Sequence, residues 1–370
     1  MLRQKLLLVL LPPVLIALCA WGDPGFTGSD HAVVSIDAPA FHELAHAHPP
    51  QLTAQSAELL DFATNTPLWQ LNAHEKRAPA SLTKMMTALI VRNNDSLDHV
   101  ITVSAHAAAT PGSRMGLIAG ERFTVLQLLY GLLLPSGNDA AVALAEGTAG
   151  SESAFVTLMN TRAAEWHLND THYVNPHGLD APGHLSSAAD LAELGRAVLR
   201  DPVLSRIVRT HSYVAHTITG AAIPLHNLDE LLGTYPGTIG IKTGTTAAAE
   251  ENLVSAVERN GHILISVILG STDRYADARA LLNYAWSTYG WITPSLPPLA
   301  TLDHGAIALE AVHFHSVPIP RWELSQVSLA WSLDPVALAH VPVGLPTLVG
   351  TVNWQLGRET IARASIAALR

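Results

Sequence analysis

Apolar residues recur along this chain in two rhythms, and each predicts a different kind of element. From Ser81 onward, Leu82, Met85, Met86, Leu89 and Ile90 follow the i, i+3, i+4 spacing of a helix face, with Pro79 ahead of them as a start signal. A second helical run, Leu126 to Leu134, leads into Pro135-Ser-Gly-Asn138, where proline and glycine predict a loop. A third, carried by Phe155, Leu158, Met159, Ala163 and Trp166, is amphipathic in the same way. The other rhythm is that of strands. Ala57-Glu-Leu-Leu-Asp61 predicts a first strand, followed by a turn around Asn65-Thr-Pro67. Leu253–Val257 and His262–Leu269 are apolar runs flanking Arg259-Asn-Gly261, and Asn-Gly between such runs predicts an antiparallel hairpin. Thr238 to Thr243 is expected to lie beside it as a further strand, with Lys242 near its end. Residues 298–370 carry many prolines and short β-branched runs, with no long helical pattern before the last dozen residues. They predict a small β-rich domain.

The N-terminus sets the expected compartment. Arg3 and Lys5 precede an apolar run from Leu6 to Ala20, which reads as a secretory signal, with cleavage after Gly22. At about fifteen residues the run is short for a membrane span, which needs roughly 20. The single cysteine, Cys19, lies inside this signal, so no disulfide can form within the chain. Ile16-Ala-Leu-Cys19 loosely resembles a lipobox, although Leu18 departs from that pattern, and attachment to a membrane through the N-terminal segment stays open. Residues 23–50, rich in Gly, Ser, Asp and Pro, read as a linker. A chain of 370 residues with 48% hydrophobic and 14% charged residues is globular. Its net charge of −10 and lack of basic stripes exclude nucleic acid as a partner.

The chemistry lies in three short strings, Ser81-Leu-Thr-Lys84, Ser136-Gly-Asn138 and Lys242-Thr-Gly244. Three-residue spacing on a helix puts Ser81 and Lys84 on one face, within hydrogen-bonding reach. A serine hydroxyl is a weak nucleophile until a base takes its proton. Lys84 can do so only when neutral, which at pH 7 costs about 4.6 kcal/mol unless burial or a second cation such as Lys242 lowers its pKa. Ser136 is expected to pass the proton to the leaving group, and Asn138 to orient Lys84 and the substrate amide. Lys242 would supply positive charge for a substrate carboxylate, Thr243 a hydroxyl, and Gly244 room for the substrate backbone against the strand edge. The N–H groups of Ser81 and Thr245 would form the oxyanion hole. No cofactor and no metal is implied.

In this order the three strings form the signature of penicillin-binding proteins and class A β-lactamases. Together with Asn175-Pro-His-Gly-Leu-Asp180, and read as Pro79–Thr87, Pro135–Ala141 and Lys242–Thr246, they resemble the serine-type D-alanyl-D-alanine carboxypeptidases, the low-molecular-mass penicillin-binding proteins. The resemblance runs over residues 51–293. It implies an α+β, β-lactamase/transpeptidase-like domain, with an antiparallel sheet flanked by helices, a helical lobe, and the site between them; the β-rich domain would follow. It implies removal of the terminal D-Ala from peptidoglycan stem peptides through an acyl-enzyme on Ser81, in an exported, periplasmic or extracytoplasmic protein, with β-lactams as covalent inhibitors. It also matches Arg274 to an arginine near the substrate carboxylate and Asp180 to the loop below the site. Where the family usually has a glycine before Asn-Leu-Val, this chain has Ala247-Ala-Ala-Glu-Glu251. Those two carboxylates would either sit solvated on a turn or alter substrate preference. The family's amphipathic C-terminal membrane helix is not evident in Ile361–Arg370.

Two further strings bear on other readings. His42-Glu-Leu-Ala-His46 spells the zinc-protease motif, but it lies in the linker without a third ligand at convincing spacing. Glu165-Trp-His-Leu-Asn169 resembles the deacylating loop of class A β-lactamases, yet Glu165 falls on the exposed side of its predicted helix. A β-lactamase, a D,D-endopeptidase of the same fold and a non-catalytic cell-wall-binding relic remain as alternatives.

Overall fold

The computed structural model describes residues 9–11, 14–16, 49–292, 308–312 and 316–369. In the N-terminal segment two short strands, β1 (Val9–Leu11) and β2 (Val14–Ile16), pair antiparallel. Cys19, the cleavage point after Gly22 and the His42–His46 motif lie outside the described residues.

From residue 51 the chain forms strands β3 (Ser56–Asp61) and β4 (Thr66–Leu71), then a 3-10 turn over Ala80–Thr83 that runs into helix α1 (Lys84–Asn94). A helical lobe follows, with β5 (Val100–Thr102), α2 (Ala105–Ala109), β6 (Arg122–Thr124), α3 (Val125–Leu133), α4 (Asn138–Ala149) and α5 (Glu152–Glu165). Helices α6 (Ala188–Arg200) and α7 (Pro202–Val208) and the hairpin β7 (Ser212–His216) and β8 (Ala222–His226) lead back towards the sheet. Strands β9 (Thr238–Thr246), β10 (Glu250–Arg259) and β11 (His262–Ser271) are followed by helix α8 (Arg274–Thr288) and β12 (Tyr289–Ile292).

The predicted hairpin is β10–β11. Arg259 pairs with His262, and Asn260 and Gly261 both take positive φ (52° and 80°), the turn geometry that Asn-Gly favours. The sheet runs β4-β3-β11-β10-β9, all antiparallel. Alternation decides its two faces. Val254, Ala256, Ile265 and Val267 pack with Leu191, Leu194 and Val198 of α6 and with the helical lobe. Leu253, Val257, Leu264 and Ile268 pack with Leu281, Leu282 and Ala285 of α8. Both faces are covered, which is why these strands read as continuous apolar runs. Met85, Met86, Leu89 and Ile90 of α1 are buried as their spacing predicts, each contributing about 1.5–3 kcal/mol of burial.

Two expectations need correction. Strand β9 runs on to Thr246, so Lys242 sits in its middle, paired with Val254, because β10 continues the ladder past Gly244. The 3-10 turn also places Ser81 one turn ahead of the α-helix proper, which begins at Lys84.

Beyond β12 lie β13 (Ala308–Val312), β14 (Val317–Pro320), β15 (Val327–Leu333), a short helix α9 (Pro335–Ala339), β16 (Thr347–Leu356) and β17 (Glu359–Leu369). They give a four-stranded antiparallel sheet in the order β13-β17-β16-β15, while β14 pairs with β12. Glu359–Leu369 form a strand, with Ala364, Ile366 and Ala368 turned into a small core with Val349, Val352 and Trp354.

Candidate active site

The 3-10 turn presents Ser81 at the start of α1, and Lys84 follows one turn later with its side chain wholly buried. Lys84 Nζ has three close oxygen neighbours: Ser81 Oγ at 2.9 Å, Asn138 Oδ1 at 2.7 Å and the carbonyl oxygen of His177 at 2.6 Å. Burial, and after it the charge of Lys242, hold the Lys84 ammonium well below the usual lysine pKa, with Asp139 acting the other way. The His177 ring does not add to this charge. Its Nδ1 accepts from the Leu179 N–H, and burial followed by the nearby Lys84 pushes its pKa down to about 3.

Loop geometry fixes the second string. Asn138 donates through Nδ2 to Pro111 O and through its backbone N–H to Ser113 O. Asp139, fully buried, accepts from the N–H groups of Met115, Gly116 and Leu117 and so ties the 111–117 segment to the start of α4. Ser136 is held at φ 62°, and its buried Oγ has no hydrogen-bond partner among the described residues. Ala80, just ahead of Ser81, also takes a positive φ of 49°. Left-handed backbone at a non-glycine residue costs about 1–3 kcal/mol, and at Ala80 it lies next to the Ser81–Lys84 pair.

The third string runs along the outer edge of the sheet. A Cβ at Gly244 would lie 3.1 Å from the backbone nitrogen of Ser81, so any side chain there would press β9 and the turn apart by a few tenths of an ångström. Lys242 is buried, donates to Thr243 O at 3.0 Å, and has its pKa lowered to about 7 by burial, with Arg274 acting in the same direction and Asp229 opposing it. Arg274 Nη1 donates to Gly244 O at 2.9 Å and Thr245 Oγ1 at 2.7 Å, which brings the guanidinium to the same strand end. Asp180 accepts from Thr246 Oγ1 at 2.6 Å and from the Ala248 N–H at 3.2 Å, locking the 175–180 loop onto the β9–β10 turn.

Against this geometry, the family described as D-alanyl-D-alanine carboxypeptidase (peptidase S11) matches residues 43–273. The chain belongs to that family. It is 34% identical over 342 residues to the D-alanyl-D-alanine carboxypeptidase DacC of Escherichia coli K12, covering 86% of this chain and 84% of DacC. Among solved structures it is similar to penicillin binding protein 6B of Escherichia coli, with a TM-score of 0.69, 31% identity, and 86% of this chain and 96% of that one covered. It is also similar to the Streptomyces K15 DD-transpeptidase, with a TM-score of 0.62, 33% identity, and 64% of this chain and 98% of that one covered.

Sequence patterns assign no role to several residues of this S11 site. His177 lies within the Asn175–Asp180 string, but it meets Lys84 through its carbonyl, which no side-chain motif reports. Gly178, at φ 91°, packs so closely that a Cβ there would overlap the Ala80 carbonyl oxygen. Asp229, in the loop before β9, is buried with Oδ2 unpartnered among the described residues; its pKa is raised to about 6 by burial, against the pull of the Leu231 N–H, Lys242 and Arg274. Glu165 caps no such arrangement. It is exposed at the end of α5 and pairs with Arg162 at 3.0 Å.

Proposed function

We propose that this S11 family member removes the terminal D-alanine from peptidoglycan stem peptides with Ser81 as nucleophile and Lys84 as general base. The observation that carries the reading is a count of donors and acceptors at Lys84. A neutral amine has two N–H groups and one lone pair. Burial and the Lys242 charge favour that neutral form at Lys84; Asn138 Oδ1 and the His177 carbonyl can only accept, so both of its N–H groups go to them. The lone pair is left for the Ser81 hydroxyl at 2.9 Å.

From that arrangement the steps follow. Ser81 Oγ attacks the carbonyl of the penultimate D-Ala while its proton passes to Lys84. The oxyanion is received by the N–H groups of Ser81 and Thr245. Ser136 Oγ hands a proton to the leaving amine and takes the one held by Lys84, so free D-Ala departs with the C–N bond broken and Lys84 is neutral again. Lys84 then deprotonates a water that attacks the ester, and the proton returns to Ser81 Oγ as the shortened peptide leaves. The substrate lies along the β9 edge, its carboxylate directed to Lys242, Thr243, Thr245 and Arg274, with Gly244 allowing the close approach.

The same chemistry makes β-lactams covalent inhibitors, since a ring amide opened by Ser81 stays tethered to the enzyme. Peptidoglycan as substrate puts the protein outside the cytoplasm. Residues 1–22 then serve as the export signal, 23–50 as linker, 51–293 as the catalytic domain and 298–370 as a second domain. Membrane attachment through the N-terminal segment accords with this layout; among the described residues no helix is long and apolar enough to cross a membrane.

The test is intact-protein mass after exposure to benzylpenicillin, with peptide mapping of the adduct. The reading expects one penicilloyl group on Ser81, absent from Ser81→Ala. An adduct elsewhere, or none, overturns it.

A further inference from the structure

Glu251 stands where it competes for the guanidinium that the reading above gives to the substrate carboxylate. It pairs across the ladder with Thr245, whose hydroxyl accepts from Arg274 Nη1. Its Oε2 accepts from the Arg274 backbone N–H at 3.3 Å and lies 3.9 Å from Arg274 Nε. That Nε is buried and makes no hydrogen bond among the described residues. Glu250 beside it holds φ 56°, the left-handed conformation glycine favours, and its carboxylate turns away to accept from Gln55 Nε2. Of the two turn carboxylates, then, one is turned towards Arg274 and the other away.

Capping accounts for only part of Glu251. It takes the first N–H of α8, that of Arg274, while Asp273 takes the Ala276 N–H, and the same Oε2 also faces the unpartnered Arg274 Nε. A second acid acts on the same cations: buried Asp229 feels the charges of both Lys242 and Arg274.

We propose that Glu251 is a specificity residue: by sharing Arg274 it weakens the hold on a ligand's terminal carboxylate and so narrows the preference for that carboxylate over leaving groups that lack one. The inference rests on the reading of Ser81 and Arg274 given above. It assigns the enzyme a reduced discrimination between peptides ending in a free D-alanine and D-Ala-terminal amides whose leaving amine carries no adjacent charge.

The experiment compares diacyl-L-Lys-D-Ala-D-Ala with the same peptide ending in D-alaninamide. The kcat/KM ratio of acid to amide is measured for wild type and Glu251→Gln, and the Kd ratio for Ser81→Ala with and without Glu251→Gln. Removing the competing charge is expected to raise the acid preference about fivefold, through the acid substrate alone, the upper range for a partly exposed pair. The gain should shrink in 0.5 M salt, as screening requires, and vanish when Arg274 is already Gln. Equal changes for both peptides, or unchanged ratios in turnover and in binding, overturn the inference. A shifted Kd ratio in a protein that turns over neither peptide would retain the inference and remove the serine reading instead.

Discussion

The carbonyl oxygen of His177 lies 2.6 Å from Lys84 Nζ, so a residue of the 175–180 loop takes one of the two N–H groups of the proposed base. Asn138 Oδ1 takes the other. Replacing Asn138 with Leu keeps the volume and removes that acceptor, leaving Lys84 a free N–H that competes to be donated to Ser81. Acylation by benzylpenicillin is expected to fall about 100-fold with the fold intact. A loss under threefold would show that the orientation of Lys84 is set elsewhere.

Gly178 is predicted to tolerate no side chain. It sits at φ 91° with its missing Cβ directed at the Ala80 carbonyl, one residue before Ser81. Gly178→Ala should cost about 2–4 kcal/mol in urea unfolding, from the left-handed backbone together with the overlap. Because the displaced atom belongs to the turn that carries Ser81, acylation should slow as well. Unchanged stability would mean that the loop can move away from the turn.

The pH profile gives a signed test of Asp229. Lys242 is held near a pKa of about 7, and Asp229 raises it. The cationic form exists below that pKa and is lost as pH rises through it, so kcat/KM for a carboxylate-terminated peptide should decline on the alkaline side. Asp229→Asn removes the negative charge that favours the cation, lowers the Lys242 pKa further, and should move that decline to lower pH. A limb that stays in place or moves up contradicts the coupling.

Much of this was legible before the fold. The Asn-Gly turn gave β10–β11, the i, i+3, i+4 spacing gave α1, and the three strings gave Ser81, Lys84, Ser136, Asn138 and the Lys242–Thr245 run. The roles a pattern does not carry belong to atoms that patterns do not encode. His177 contributes a carbonyl, Gly178 an absence of side chain, and Asp229 a charge whose effect depends on burial against Lys242. The C-terminal β17 was obscured for a different reason: its alanines pack a strand as readily as a helix, and only pairing with β13 and β16 decides between them.

Glu165 is the residue a β-lactamase reading would need for deacylation. It pairs with Arg162 at the surface, its side chain 57% exposed. Glu165→Gln is therefore expected to change cephalosporin turnover by less than twofold and stability by no more than about 0.5 kcal/mol. A tenfold slower release of the acyl group would make it a catalytic residue after all.

The central claim is that Ser81 carries the acyl group in D-alanine release. Free D-alanine from diacyl-L-Lys-D-Ala-D-Ala, measured for wild type and Ser81→Ala with cephalosporin hydrolysis in parallel, tests it most directly. The account predicts release by the wild type, none by Ser81→Ala, and slow or no cephalosporin turnover. Release that survives in Ser81→Ala, or rapid cephalosporin turnover without any release of D-alanine, would contradict it.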